Sequence, residues 1–125
     1  RRADGLFAYQ LAVVVDDIAI GATEIVRGYD LLESSPRQQA LFEALAAPVP
    51  GWMHLPLVVD KTGRKLSKST GSDPVRYARP ASTLALVLEA LGHRPPPGPR
   101  SLESLWTWAI DHWTPARVPV EPFEV

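Results

Sequence analysis

Cysteine is absent from the 125 residues, so neither a disulfide nor a thiolate metal site is available. That absence suits a reducing compartment, and a cytoplasmic location is the expectation. Histidine is scarce as well: His54, His93 and His112 lie too far apart in sequence for a metal motif, and no metal site is assigned. No apolar run approaches the roughly 20 residues that span a bilayer, and the N-terminus carries no signal-peptide core, so no membrane partner is expected. Internal repeats are lacking too. The opening "RRADGLFAYQLAVVVDD" has no initiator methionine and enters a strand-like pattern almost at once, which implies a chain that starts inside a larger protein.

What is present suits one small globular fold. Hydrophobic residues make up 46% of the chain, and a domain of this size buries roughly two thirds of its extended surface. The formal net charge of −1 hides a concentration of charge. Between Asp60 and Arg79, six basic residues (Lys61, Arg64, Lys65, Lys68, Arg76 and Arg79) face only Asp60 and Asp73, a net +4 that leaves −5 for the remainder. A basic stretch on an otherwise acidic chain points to a phosphate-bearing ligand more than to a general nucleic-acid coat.

Residues 6 to 15 are apolar and β-branched toward their end, and Asp16 and Asp17 stop the run, which predicts a buried strand. A turn or short helix through Ile20 and Gly21 follows, and "TEIVR", residues 23 to 27, reads as a second strand ended by Gly28. In "SSPRQQALFEALAAP", Ser35 as cap, Pro36 at the first helical position and Gln38 as the partner in a capping box predict a helix with Leu41, Phe42 and Leu45 as its apolar stripe. "HLPLVVD" reads as a third strand, and "DKTG" supplies turn chemistry for a hairpin that leads into the basic loop. Two helices follow. "ASTLALVLEALG" stops at Gly92, and "SLESLWTWAIDHW" begins at Ser101 and places Leu102, Leu105, Trp106, Ala109, Ile110 and Trp113 on one side. A stiff "RPPPGPR" connects them, and the end, "TPARVPVEPFEV", reads as extended. The order suggests half of an α/β sheet followed by a small helical appendage.

The stretch most suggestive of chemistry is "GRKLSKSTGSD", residues 63 to 73. Lysine is a compact charge on a flexible stem, suited to phosphate oxygens whose charge shifts during phosphoryl or nucleotidyl transfer. Lys65 and Lys68 are spaced to act together, Ser67 and Ser69 add hydroxyl donors, and Gly63 and Gly71 let the loop close and reopen. A solvated basic loop after a hairpin is the plainer alternative.

"KLSKS", Lys65 to Ser69, resembles the KMSKS signature of the class I aminoacyl-tRNA synthetases, with Leu66 at the usual methionine. "RRADGLFAYQLAVVVDD", "EIVRGYDLLESSPRQ" and "HLPLVVDKTGRKLSKS" each resemble, in order and spacing, the glutamyl branch of that class, and the likeness covers nearly the whole chain. Within the branch the chain is most similar to the short members that activate L-glutamate with ATP and attach it to queuosine in the anticodon loop of tRNA(Asp). The resemblance implies an α/β fold: residues 1–79 as the C-terminal half of a Rossmann-type class I synthetase catalytic domain, and residues 80–125 as a helical subdomain.

The resemblance also implies roles. Tyr9 and Arg27 match glutamate-holding residues, Lys65 and Lys68 match the catalytic lysines of the loop, and Lys65, Ser67 and Lys68 fall where ATP, with Mg2+, is bound. From the residues alone, Tyr9 also reads as a half-buried core aromatic and Arg27 as a surface ion pair with Asp30 or Glu24. Asp30 reads as organising the turn after Arg27, Arg37 as a helix-surface charge or an RNA phosphate contact, and His54 as a hydrogen-bonded structural histidine. Trp106, Trp108 and Trp113 offer faces for stacking on bases, or core.

The family's HIGH signature, its N-terminal glutamate-binding arginine and its zinc-binding insert have no counterpart here. The expectation is therefore a second half-site, inactive by itself and monomeric, with any zinc confined to a missing N-terminal part. Only 56 residues follow Ser69, a length that suits the short relatives. Two other readings stay open: a fragment of a discriminating glutamyl-tRNA synthetase that charges tRNA(Glu), and a non-catalytic RNA- or nucleotide-binding module.

Overall fold

The computed structural model describes residues 3–67, 71, 79–98 and 101–125. The chain forms two compact units, Arg1–His54 and Leu55–Val125, each with its own small core.

In the first unit, helix α1 (Tyr9–Ile20) packs on helix α2 (Ser35–Ala44), and strands β1 (Glu24–Gly28) and β2 (Gly51–Leu55) form a two-stranded sheet. α1 corrects the strand expected over residues 6 to 15. An unbroken apolar run is compatible with either period, and here burial decides: Leu11, Val14 and Ile18 turn inward while Ala12, Val15 and Ala19 face out, a spacing that only a helix gives. Packing against α2 outweighs the β preference of Val13, Val14 and Val15. Gly21 closes the helix in the left-handed region at φ 70°, with its own N–H and that of Ala22 returning to Ile18 and Asp17.

α2 forms where expected, but its start differs. The cap is Ser34, with no side-chain capping bond, so the capping box between Ser35 and Gln38 does not form. Both residues sit on the buried face with Phe42 instead, and their side chains are engaged elsewhere. A six-residue 3-10 turn, Tyr29–Ser34, joins β1 to α2.

In the second unit, the expected third strand is divided at Pro56, which has no N–H for a ladder. Its later part, β3 (Val58–Val59), pairs in parallel with β4 (Phe123–Glu124), so the tail is a strand where it passes Val58 and Val59. On its other side, Val59 bridges Lys65 in antiparallel fashion, closing the expected hairpin. The Asp60 carboxylate caps the turn: Oδ1 accepts from the Thr62 N–H at 2.8 Å and the Arg64 N–H at 3.1 Å. These bonds, with the one from the Thr62 hydroxyl, favour the charged carboxylate and lower the Asp60 pKa.

Helices α3 (Pro80–Ala90) and α4 (Leu102–His112) pack together. Ser101 caps α4 as expected, its Oγ accepting from the Ser104 N–H at 3.1 Å. The predicted stripe on α4 divides: Leu105 and Ala109 are buried, whereas Trp106 and Ile110 are exposed. Trp108 and Trp113 stack on His112 and His93, with ring centroids 4.7 Å and 4.6 Å apart. His93 is buried; its Nδ1 faces the Leu91 carbonyl and its Nε2 accepts from the Thr114 N–H at 2.9 Å. This clasp brings the chain after α4 back over Gly92, where a Cβ would lie 2.2 Å from the Arg117 carbonyl oxygen at φ +76°.

Two glycines therefore differ in a measurable way. Gly21→Ala meets nothing within 4 Å and is expected to cost about 1 kcal/mol of stability, from the left-handed backbone alone. Gly92→Ala adds a clash with backbone and is expected to cost about 2–4 kcal/mol in the same denaturant titration. Equal losses would show that the Arg117 turn yields to the methyl group.

Candidate functional site

The polar centre of the first unit is Arg27, the penultimate residue of β1. A strand-end position sets its backbone rigidly, and the half-buried side chain runs over the Trp52 ring, with the guanidinium carbon 4.7 Å from the ring centroid. Such a stack contributes about 0.5–2 kcal/mol and presents the guanidinium flat. Around its edge, Nη1 donates to Gln38 Oε1 at 2.5 Å, Nη2 donates to Ser35 Oγ at 2.5 Å, and Nε points to His54 Nε2 at a long 3.4 Å.

A guanidinium has only donors, so its neighbours must accept. Ser35 Oγ takes the Nη2 proton and is left to give its own hydroxyl proton to His54 Nε2, 3.0 Å away. His54 must then be neutral with its proton on Nδ1. Its pKa is lowered from 6.5, chiefly by partial burial and further by the Arg27 charge, in agreement with that state. Tyr29 packs edge-on to the His54 ring, centroids 6.5 Å apart.

Among the described residues, then, every group bonded to Arg27 is uncharged. The ion pair expected from sequence with Glu24 is not among the contacts of Arg27, and the three bonds leave one N–H on each terminal nitrogen without an acceptor among the described residues. A half-buried cation with neutral supports and spare donors is suited to an anionic ligand, and a carboxylate matches its planar geometry.

The other sequence-predicted residues fall as follows. Tyr9 opens α1 rather than lying on a strand, and the residue is 66% exposed, so it is no core aromatic here. His54 is the hydrogen-bonded histidine expected, and Arg37 lies exposed on α2. In the second unit, Lys65 is exposed and its backbone is held by the bridge to Val59, while Ser67 is half-buried. Lys68 lies outside the described residues. Sequence reasoning missed Gln10, Ser35, Gln38 and Trp52 as site residues. The available signal was a polar pair at positions 35 and 38 on the inward face of a helix that also buries Phe42. The buried indole N–H of Trp52 has no partner among the described residues.

Residues 1–78 match the family described as tRNA synthetases class I (E and Q), catalytic domain. The chain is 48% identical over 124 residues to a glutamyl-Q tRNA(Asp) synthetase of Chromobacterium violaceum, covering 99% of this chain and 42% of that protein. It is 52% identical over 120 residues to one from Aromatoleum aromaticum, covering 94% and 38%. The chain thus spans about two fifths of the length of the curated relatives it matches. Its fold is similar to the crystal structure of a glutamate-tRNA synthetase from Elizabethkingia anophelis, with a TM-score of 0.67 at 23% identity over 99% of this chain and 29% of the other.

The lowered pKa of His54 makes stability depend on pH. Below its ordinary 6.5 the unfolded chain takes up a proton that the folded site refuses. The contribution of His54 is therefore complete above that value and falls with pH until the depressed folded value is passed. His54→Gln removes the titration while keeping an acceptor, so denaturant titrations from about pH 7 down to about pH 5 should show a shallower loss of stability than the unsubstituted protein. An unchanged slope would mean that His54 titrates alike folded and unfolded.

Proposed function

The chain belongs to the class I tRNA synthetases of the glutamate and glutamine branch, and from that premise we propose that the protein activates L-glutamate with ATP and transfers it to queuosine in the anticodon of tRNA(Asp). The observation that carries this reading is the identity of 48% to 52%, over 94% to 99% of the chain, to relatives of that name. On the same reading, residues 1–79 are the second half of a Rossmann-type catalytic domain and residues 80–125 a helical subdomain, in a monomer working in the cytoplasm.

The chemistry has two steps. A carboxylate oxygen of glutamate attacks the α-phosphorus of ATP, the bond to the bridging oxygen breaks, and pyrophosphate leaves. A queuosine hydroxyl then attacks the acyl carbon of the adenylate, loses its proton, and AMP departs. Arg27, with its neutral supports, grips a glutamate carboxylate, and Tyr9 presents its hydroxyl from the first turn of α1. Lys65 and Lys68, with Ser67, bind ATP and stabilise the charge that builds on the α-phosphate and the leaving pyrophosphate. These roles are positional and electrostatic, not acid–base.

Among the described residues no group of three or more His, Asp or Glu side chains could hold a metal ion. Mg2+ would be carried chiefly by the nucleotide's own phosphates.

In the intact synthetase, labelled glutamate should enter tRNA(Asp) carrying queuosine, and periodate cleavage of the queuosine diol should abolish the transfer. Labelling of tRNA(Glu) instead would overturn the reading. Lys68→Ala is expected to slow glutamate-dependent ATP–pyrophosphate exchange about 100-fold or more with little change in glutamate KM. Arg27→Lys is expected to do the reverse, raising glutamate KM about 10- to 100-fold through loss of the planar fork. Near-normal kinetics in either variant would remove that residue from the mechanism.

A further inference from the structure

The donor-only character of Arg27 propagates beyond its immediate neighbours. Gln38 is 1% exposed, so its amide must satisfy itself within the protein. Because the guanidinium accepts nothing, Gln38 turns its Oε1 to Nη1, and its Nε2 is forced to the opposite side, where it donates to Gln10 Oε1 at 2.6 Å. Gln10 in turn donates from Nε2 to Ser34 Oγ at 3.1 Å. The cation thus sets the orientation of two amides in series, and the relay runs from β1 through α2 to the first turn of α1. Gln10 is the residue after Tyr9.

Resting on the reading that Arg27 and Tyr9 hold glutamate, we infer that Gln38 and Gln10 are positioning residues for that substrate. Their relay fixes the rotation of the Arg27 guanidinium and ties it to the turn of α1 that carries Tyr9. Residue 38 must meet two requirements at once. It must hold Nη1 in place, and it must leave the positive charge uncompensated so that the incoming carboxylate completes the ion pair. A neutral amide does both. A carboxylate of the same shape holds the guanidinium more tightly but supplies the negative charge that the substrate brings. A role confined to stability sets no such condition, because a carboxylate accepting from Nη1 in an internal ion pair would serve it as well.

The test is kinetic and uses the intact synthetase. Gln38→Glu keeps the shape and the bond to Nη1 but occupies Arg27 from within, and, having no N–H of its own, it obliges the Gln10 amide to turn its NH2 toward residue 38. It is expected to raise glutamate KM about tenfold or more, with kcat at saturating glutamate within about twofold, ATP KM unchanged and thermal stability retained. Gln10→Met and Gln38→Met should each raise glutamate KM, and the double substitution should raise it by less than the product of the two, as two links of one relay require. If Gln38→Glu leaves glutamate KM unchanged while Arg27→Lys raises it, the relay is overturned and the function stands. If neither substitution moves glutamate KM, the glutamate-holding role of Arg27 falls, and the relay with it. A fall in kcat and stability together with a rise in ATP KM would make Gln38 a structural residue only.

Discussion

A guanidinium that donates in five directions and accepts in none cannot adapt to its neighbours, so the neighbours adapt to it. That asymmetry organises the first unit. Ser35 is turned from capping α2 and Gln38 from completing a capping box, each because Arg27 requires an acceptor at a fixed place, while burial first and the Arg27 charge second hold His54 neutral. The helix gives up a side-chain cap, a contribution of about 1 kcal/mol in most hosts. In exchange, hydrogen bonds to a charged group contribute about 1.5–3 kcal/mol each where they are well made. Charge-assisted bonds therefore win over the local rule.

The second unit depends on a different constraint. β3 is only two residues long, yet both of its edges are used: Phe123 and Glu124 pair along one side, and Lys65 bridges back to Val59 on the other. A two-stranded ribbon is marginal by itself. Here the tail supplies a third partner, and buried Val59 sits where the three segments meet. The hairpin that leads into the KLSKS stretch is thereby anchored at its base by backbone bonds, while the Asp60 carboxylate rigidifies the turn at its tip.

Elements governed by local chemistry were legible in the sequence. β1 ends at its glycine, α3 stops just before Gly92, α4 starts at Ser101, and "DKTG" makes its turn, because each signal and its consequence lie within a few residues. α1 was not legible as a helix: ten successive apolar-rich positions satisfy both periods, and the deciding contact, α2, is distant in sequence. The tail strand was hidden for the same reason, since its partner Val58 lies far upstream. Arg27 drew attention only through family likeness. Its supports at Ser35 and Gln38 matched a capping box so well that their competing partner, eight and eleven positions back, went unseen.

The neutrality of those supports bears on the choice between the two amino acids that the family's description joins. On the proposed reading, a ligand side chain meets N–H donors at Arg27. A carboxylate answers them with two acceptor oxygens. The amide of glutamine offers one oxygen, and its NH2 group would set donor against donor. A carboxylate inside the site could have reversed this preference by accepting from the amide, but among the described residues none contacts Arg27. An unpaired buried donor costs about 1–3 kcal/mol, and the lost charge adds to it. On that reading, a cation paired among the described residues only with neutral acceptors selects an acid over its amide without any further residue devoted to rejecting the amide.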